Sequence, residues 1–284
     1  MTEKTIRLIS LGAGVQSSYL YRANALGLLG EVAVAAIFSD TGDEPQWTYD
    51  TLDLLERDHG DVIPIHRVSA GVLSEDWYTG TKSRKAGNDD LAMGAALPVF
   101  LLSEDGTTGM SPSRSCTSRY KVAPLKAKQK ELMKEYDATH VEVLIGISLD
   151  EVQRMRQSDV KWSSNHYPLI LDNPIRRGEI IRWHEQNTYP VPRRSSCIQC
   201  PFHSRNEWIE LSKEPKEWAK AVAIDARLRA EDRFVSVNAD PEKAQYRGTP
   251  FLHKSCVPLA EVDFDEDDDQ LDMFGNDCSG LCGV

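Results

Sequence analysis

Hydrophobic positions fall in short runs, separated by glycine-containing polar loops and by longer amphipathic stretches. Residues 6–9 form a short apolar run before Gly12 and Gly14 and read as a buried strand. Residues 19–26 continue in a helical pattern. Residues 32–38 are a second buried run, ending in Ser39, Asp40, Thr41, Gly42 and Asp43. Residues 45–59 read as a helix with Trp47, Leu52, Leu54 and Leu55 as its apolar positions. Residues 62–65 are a third strand, where Pro64 points to an edge or a strand end. Residues 122–136 form a Lys- and Glu-rich helix that buries Leu125, Ala127 and Leu132. Residues 140–145 are a fourth strand, closed by Gly146. Further helices are expected over 178–187, 206–211 and 216–234, with Ile180, Trp208, Trp218, Val222 and Ile224 as core. Strands alternating with helices predict an α/β fold with a doubly wound, mostly parallel sheet of the Rossmann-like type. A Cys-containing helical part follows it.

The first strand and helix are joined by the most informative loop. A strand, a glycine turn, hydroxyl residues and a helix together build an anion site. Glycines let the backbone approach a phosphate, and the first N–H groups of a helix lack internal partners. Ser10, Gly12, Gly14, Val15, Gln16, Ser17 and Ser18 are the candidate residues. The stretch is neither the G-x-G-x-x-G dinucleotide fingerprint nor a Walker loop, whose Lys is missing. In a right-handed βαβ unit the loop after the second strand opens on the same side, which adds Asp40, Thr41 and Gly42.

These motifs resemble the PP-loop superfamily, specifically its phosphoadenosine-phosphosulfate (PAPS) reductase-like branch. Gly14-Val15-Gln16-Ser17-Ser18 is similar to the phosphate loop of those reductases, with Gln where ATP pyrophosphatases carry Asp. Asp40-Thr41-Gly42, then Pro45 and Tyr49, resembles the D-T-G-x-x-x-P-x-T-Y segment. Cys116-Thr-Ser-Arg119-Tyr-Lys121-Val122-Ala-Pro124-Leu125 resembles C-x-x-R-K-V-x-P-L with one extra residue. Gly146 with Arg154 eight residues on resembles the family's glycine and substrate-facing arginine. The resemblance implies a bound adenine nucleotide: ATP, adenylyl sulfate or PAPS, with Mg²⁺ if ATP is used. Arg119, Lys121 and Arg154 are its candidate contacts. Arg176 and Arg177, and Arg193 and Arg194, are pairs whose planar forks suit phosphate, although exposed arginine pairs are common.

Six cysteines without a leader segment point to metal or redox chemistry rather than a disulfide framework. Cys197 and Cys200 form a C-x-x-C pair, which alone fits half a zinc site or a redox pair. Its distance from Cys116 resembles adenylyl-sulfate reductases, which implies a [4Fe–4S] cluster, with zinc as the alternative. Ser115 departs from that pattern, so Cys256 is the candidate fourth ligand, Cys278 its rival, and His203 a ligand that would complete a zinc site. Cys278 and Cys282 are also candidate catalytic thiols in a tail that otherwise closes on the metal or is a plain terminus.

Of 284 residues, 40% are hydrophobic, which supports an ordinary core, and no run is long enough to span a membrane. The net charge of −11 argues against binding nucleic acid by total charge, although the acidic run 261–269 carries much of it. The expected organisation is a nucleotide-binding domain over 1–190 with a lid or plain solvated loop at 77–115. A Cys-containing helical region over 191–258 and an acidic tether with a tail over 259–284 follow. Three functions fit: sulfonucleotide reduction to sulfite, ATP-driven adenylation and thiolation of a tRNA base or DNA backbone, and nucleotide sensing without turnover. The expected partners are the nucleotide, a thiol reductant protein or a nucleic-acid acceptor. The expected location is the cytoplasm, and a homodimer is compatible with each function.

Overall fold

The computed structural model describes residues 4–79, 97–111, 115–230 and 248–264. In chain order its elements are β1 (Thr5–Ser10), α1 (Val15–Ala25), β2 (Ala35–Asp40), α2 (Gln46–His59), β3 (Ile65–Ser69) and α3 (Leu73–Thr79). Then come β4 (Phe100–Leu102), β5 (Thr108–Met110), α4 (Ala123–Glu135), β6 (His140–Ile145), β7 (Ser163–His166), α5 (Pro168–Leu171) and α6 (Arg177–Gln186). The order ends with α7 (Arg205–Ser212), α8 (Pro215–Ala230) and β8 (Thr249–Phe251). Two compact units result: residues 4–70 with 117–195, and residues 71–116 with 196–264.

The first unit holds a five-stranded sheet in the order β3-β2-β1-β6-β7. All four pairings are parallel. Side-chain alternation along β1 sends Leu8 to one face and Ile9 to the other, so the sheet is buried on both sides. Ile9 joins Tyr19 and Leu20 of α1, Leu52 and Leu55 of α2 and Ile180 of α6. Leu8 joins Ile37 and Val143 with Leu125 and Leu132 of α4. Helices on both faces of a parallel sheet make the fold doubly wound, as the sequence pattern predicts.

Three local differences have physical causes. The third strand starts at Ile65, because Pro64 has no N–H to give a ladder and contributes only its carbonyl, to Ala36 N–H at 2.9 Å. β7 reads Ser-Ser-Asn-His and carries no hydrophobic alternation; it is an edge strand recruited by backbone pairing with β6. Residues Thr117–Val122 form a π-helical turn that runs directly into α4. A turn of this wider kind holds one residue more than an α-helical turn, and here it carries Arg119, Tyr120 and Lys121.

The second unit contains the antiparallel sheet β5-β4-β8 and the helices α3, α7 and α8. Trp208 of α7 is 1% exposed and stacks on His203 with ring centres 4.6 Å apart. Asp225 of α8, also buried, accepts hydrogen bonds from Leu252 N–H at 2.9 Å and Leu259 N–H at 2.8 Å, and from Arg229 at 2.6 Å. One carboxylate therefore ties the segment after β8 to α8. Among the described residues no helix is long and apolar enough to cross a membrane.

Candidate nucleotide site

The site is built at the carboxyl edge of the parallel sheet, where β1 and β6 end level and β2 runs on to Asp40. Ser10 lies opposite both Ile37 and Ile145, so the loops after these three strands open on one side. α1 begins at Val15 with Gly14 as its N-cap, and its first turn carries no acidic residue. The early N–H groups of that helix and its dipole suit an anion.

Within the loop, Gly14 has φ −88°, which any residue adopts, and a Cβ there would meet Ser195 Oγ at an ordinary 3.5 Å. The left-handed residue is Ala13, at φ 57°. Gly14 is therefore not needed for its backbone angle, contrary to the glycine-turn reasoning from sequence. Ser17 folds back as a cap: its Oγ accepts from Gly14 N–H at 3.2 Å. Val15 is core, and its carbonyl faces the buried His184 Nε2 at 3.4 Å. Ser10 and Ser18 are buried, and neither Oγ has a hydrogen-bond partner. Ser148, just after β6, is fully buried and has the same unsatisfied hydroxyl. Buried polar atoms in a folded protein are nearly always paired, so three orphaned hydroxyls at strand ends and a helix start fit a site built for a polar ligand.

Gly146 has a packing role. A Cβ on it would lie 2.8 Å from Ser17 Cα and 2.9 Å from Ser17 N, so only glycine lets the end of β6 meet the start of α1. After β2, Asp40 Oδ1 accepts from Gly42 N–H at 2.7 Å and from the Tyr49 hydroxyl at 2.8 Å. Gly42 has φ 73°, the left-handed angle this turn requires. Burial, and then the bond to Asp40, push the Tyr49 phenol well above its ordinary pKa. Thr41 Oγ1 donates to the buried Glu44 at 3.1 Å, and Lys121 Nζ stands 3.6 Å from the same carboxylate. Lys121 is held there because its carbonyl accepts from Ser39 Oγ at 2.8 Å.

A second set of charges surrounds Gln16. Its Nε2 donates to Glu151 at 3.0 Å, and Arg177 donates to its Oε1 at 2.9 Å. Arg154 pairs with the same Glu151 carboxylate. Arg176 pairs with Asp150 at 3.4 Å, and Arg177 N–H donates to Asp150 at 2.5 Å. Arg119 is exposed on the π-helical turn. The strand ends thus bring together Gln16, Arg154 and Arg177. Sequence reasoning missed Glu151, although the acidic pair Asp150-Glu151 between Gly146 and Arg154 marks it. The Arg193-Arg194 pair, expected as a candidate phosphate clamp, packs on Trp47: Arg194 O accepts from Trp47 Nε1 at 3.2 Å and the Arg193 guanidinium lies 3.8 Å over the Trp47 ring.

Cys116, Cys197, Cys200 and Cys256 all belong to the second unit. Cys197 and Cys256 are buried, and Cys116 and Cys200 half-buried. Cys200 N–H closes a turn onto Cys197 O at 2.9 Å, and His203 Nε2 lies 3.0 Å from that carbonyl. Cys256 has a left-handed backbone, and burial pushes its thiol pKa up. Among the described residues no three His, Cys, Asp or Glu side chains form a metal-holding group. The described residues thus do not by themselves assemble the expected cluster or zinc site. Cys278 and Cys282, most of the acidic run, and residues 80–96 and 112–114 of the expected lid lie outside the described residues.

No family model and no curated protein matches the chain. Among solved structures, it is similar to a PAPS reductase from Candida auris in a phosphate complex. The TM-score is 0.41 and the identity 15%, over 66% of this chain and 75% of that one. It is also similar to the U34-tRNA thiolase NcsA from Methanococcus maripaludis, solved with its [4Fe–4S] cluster. There the TM-score is 0.38 and the identity 15%, over 88% of this chain and 80% of that one.

Proposed function

We propose that the protein is an enzyme that binds an adenine nucleotide at the Leu11–Ser18 loop and acts on an activated sulfur group, as in the reduction of adenylyl sulfate or PAPS to sulfite. The observation that carries the reading is the set of orphaned hydroxyls of Ser10, Ser18 and Ser148 beside the open first turn of α1. Arg154 and Arg177 add positive charge, and Gln16 brings no charge to repel an anion. The loop lacks the Asp of ATP pyrophosphatases, which favours a sulfonucleotide over ATP. In such a reaction a cysteine thiolate bonds to the sulfonate sulfur, the S–O bond to phosphate breaks, and the nucleotide leaves with the electron pair. A second thiol then releases sulfite and leaves a disulfide.

The test is separate incubation of the full chain with adenylyl sulfate, PAPS and ATP under a dithiol reductant. Sulfite with AMP or adenosine bisphosphate is expected from one of the first two. Pyrophosphate from ATP would move the assignment to adenylation. Absence of binding to all three would overturn the nucleotide reading.

A further inference from the structure

Glu151 is an anion placed inside a cluster of anion-seeking groups. Its carboxylate is held by Arg154 on one oxygen and by Gln16 Nε2, at 3.0 Å, on the other. The orientation of the Gln16 amide is set by Arg177, which donates to Oε1 at 2.9 Å and so leaves Nε2 facing Glu151. Gln16 lies in the first turn of α1 and is 8% exposed. The carboxylate therefore takes two hydrogen-bond donors at a helix start, as an oxygen of a phosphate or sulfate group would.

It fills that place incompletely. Glu151 engages only the Nη1 nitrogen of Arg154, while the buried Nε has no partner. The guanidinium edge that presents Nε with Nη2 is a different one from the Nη1 that Glu151 holds, and a tetrahedral group brought to it would satisfy a donor that Glu151 leaves unpaired. Ser148, in the same segment, has its orphaned hydroxyl as well. Glu151 also has somewhere to go. Its side chain is 26% exposed, and its backbone, at φ −121° and ψ 23°, breaks the short helical stretch Leu149–Arg154.

We propose that Gln16 and Arg154 form an oxyanion subsite whose resident in the empty protein is the carboxylate of Glu151, displaced when a phosphate or sulfate group of the ligand arrives. This rests on the nucleotide reading above and adds an internal competitor to it. It also accounts for Gln16: an acidic residue there would face Glu151 with like charge.

The test is calorimetric titration of wild type, Glu151→Gln and Glu151→Asp with inorganic phosphate, adenosine, and ATP with and without Mg²⁺. Glu151→Gln removes the competing charge and should tighten phosphate and metal-free ATP about tenfold, ~1.4 kcal/mol, with adenosine unchanged. Glu151→Asp draws the carboxylate back by one methylene and should tighten both less. It serves as the readout if the amide variant does not fold. Phosphate affinity unchanged or weakened in the variants would overturn the proposal. So would a loss confined to ATP with Mg²⁺, which would make Glu151 a cation ligand. If phosphate tightens while ATP binds no better than phosphate, the displacement stands and the adenine-nucleotide reading fails.

Discussion

Gly146 and Ser17 bring strand and helix backbones together at the site: a Cβ on Gly146 would stand 2.8 Å from Ser17 Cα. The atoms it would strike are backbone, at Ser17 and at Gln16 C, 3.1 Å away, so no side-chain rotation relieves the clash. Gly146→Ala should push the first turn of α1 away from β6. We expect a loss of about 1–3 kcal/mol of stability and weaker phosphate binding. Gly109→Ala, at a glycine of β5 whose Cβ would meet nothing within 4 Å, is the control and should change stability by less than about 0.5 kcal/mol. Urea denaturation of both variants checks this.

Ala13 and Gly14 reverse the usual expectation for a glycine turn. Ala13 is 1% exposed and left-handed, whereas Gly14 is extended. Ala13→Val should cost more than about 2 kcal/mol, since a β-branched residue is strained there and the site is closed. Ala13→Gly should stay within about 1 kcal/mol of wild type, because relief of the angle offsets the lost methyl burial. Gly14→Ala should fold normally. Thermal melts of the three variants decide this, and a severe loss for Gly14→Ala alone would contradict the loop geometry.

Asp225 is the anchor of the second unit. Removing its carboxylate leaves two buried backbone N–H groups without their acceptor and Arg229 without its carboxylate partner. Asp225→Ala should cost about 3–5 kcal/mol. Hydrogen exchange should show protection lost first at Leu252 and Leu259. Unchanged exchange there would exclude the anchoring role.

His184 gives the fold a pH dependence. Burial holds its pKa below the ordinary 6.5, because the charged ring is poorly solvated. The unfolded chain therefore takes up a proton at higher pH than the folded one, and stability is full above pH 6.5 and falls as the pH drops from there through the lower folded value. His59 and His66 are shifted the same way by burial and should add to the slope. Denaturation midpoints measured from pH 8 to pH 5 should fall, and His184→Gln should flatten the curve. An equal slope in the variant would assign the effect to other groups.

The sequence by itself determined the α/β alternation, the two-faced burial of β1 and the clustering of loop chemistry at one sheet edge. Apolar runs and turn residues are local signals, and a parallel βαβ unit has one handedness, so the Leu11–Ser18 and Asp40–Gly42 loops had to open together. Gln16, Arg154 and Arg177 were legible as candidates for the same reason.

Tertiary structure alone decided how those residues are used. Glu151 meets Gln16 across 135 positions of chain, a partnership no local pattern encodes. Gly146 is needed for the approach of two backbones, which spacing cannot reveal. β7 is polar because an edge strand is held by its ladder rather than by buried side chains, so it carries no period to read. The cysteine spacing suggested a metal centre, yet spacing constrains only chain length between thiols. Whether thiols converge depends on packing, and the described packing does not form such a group.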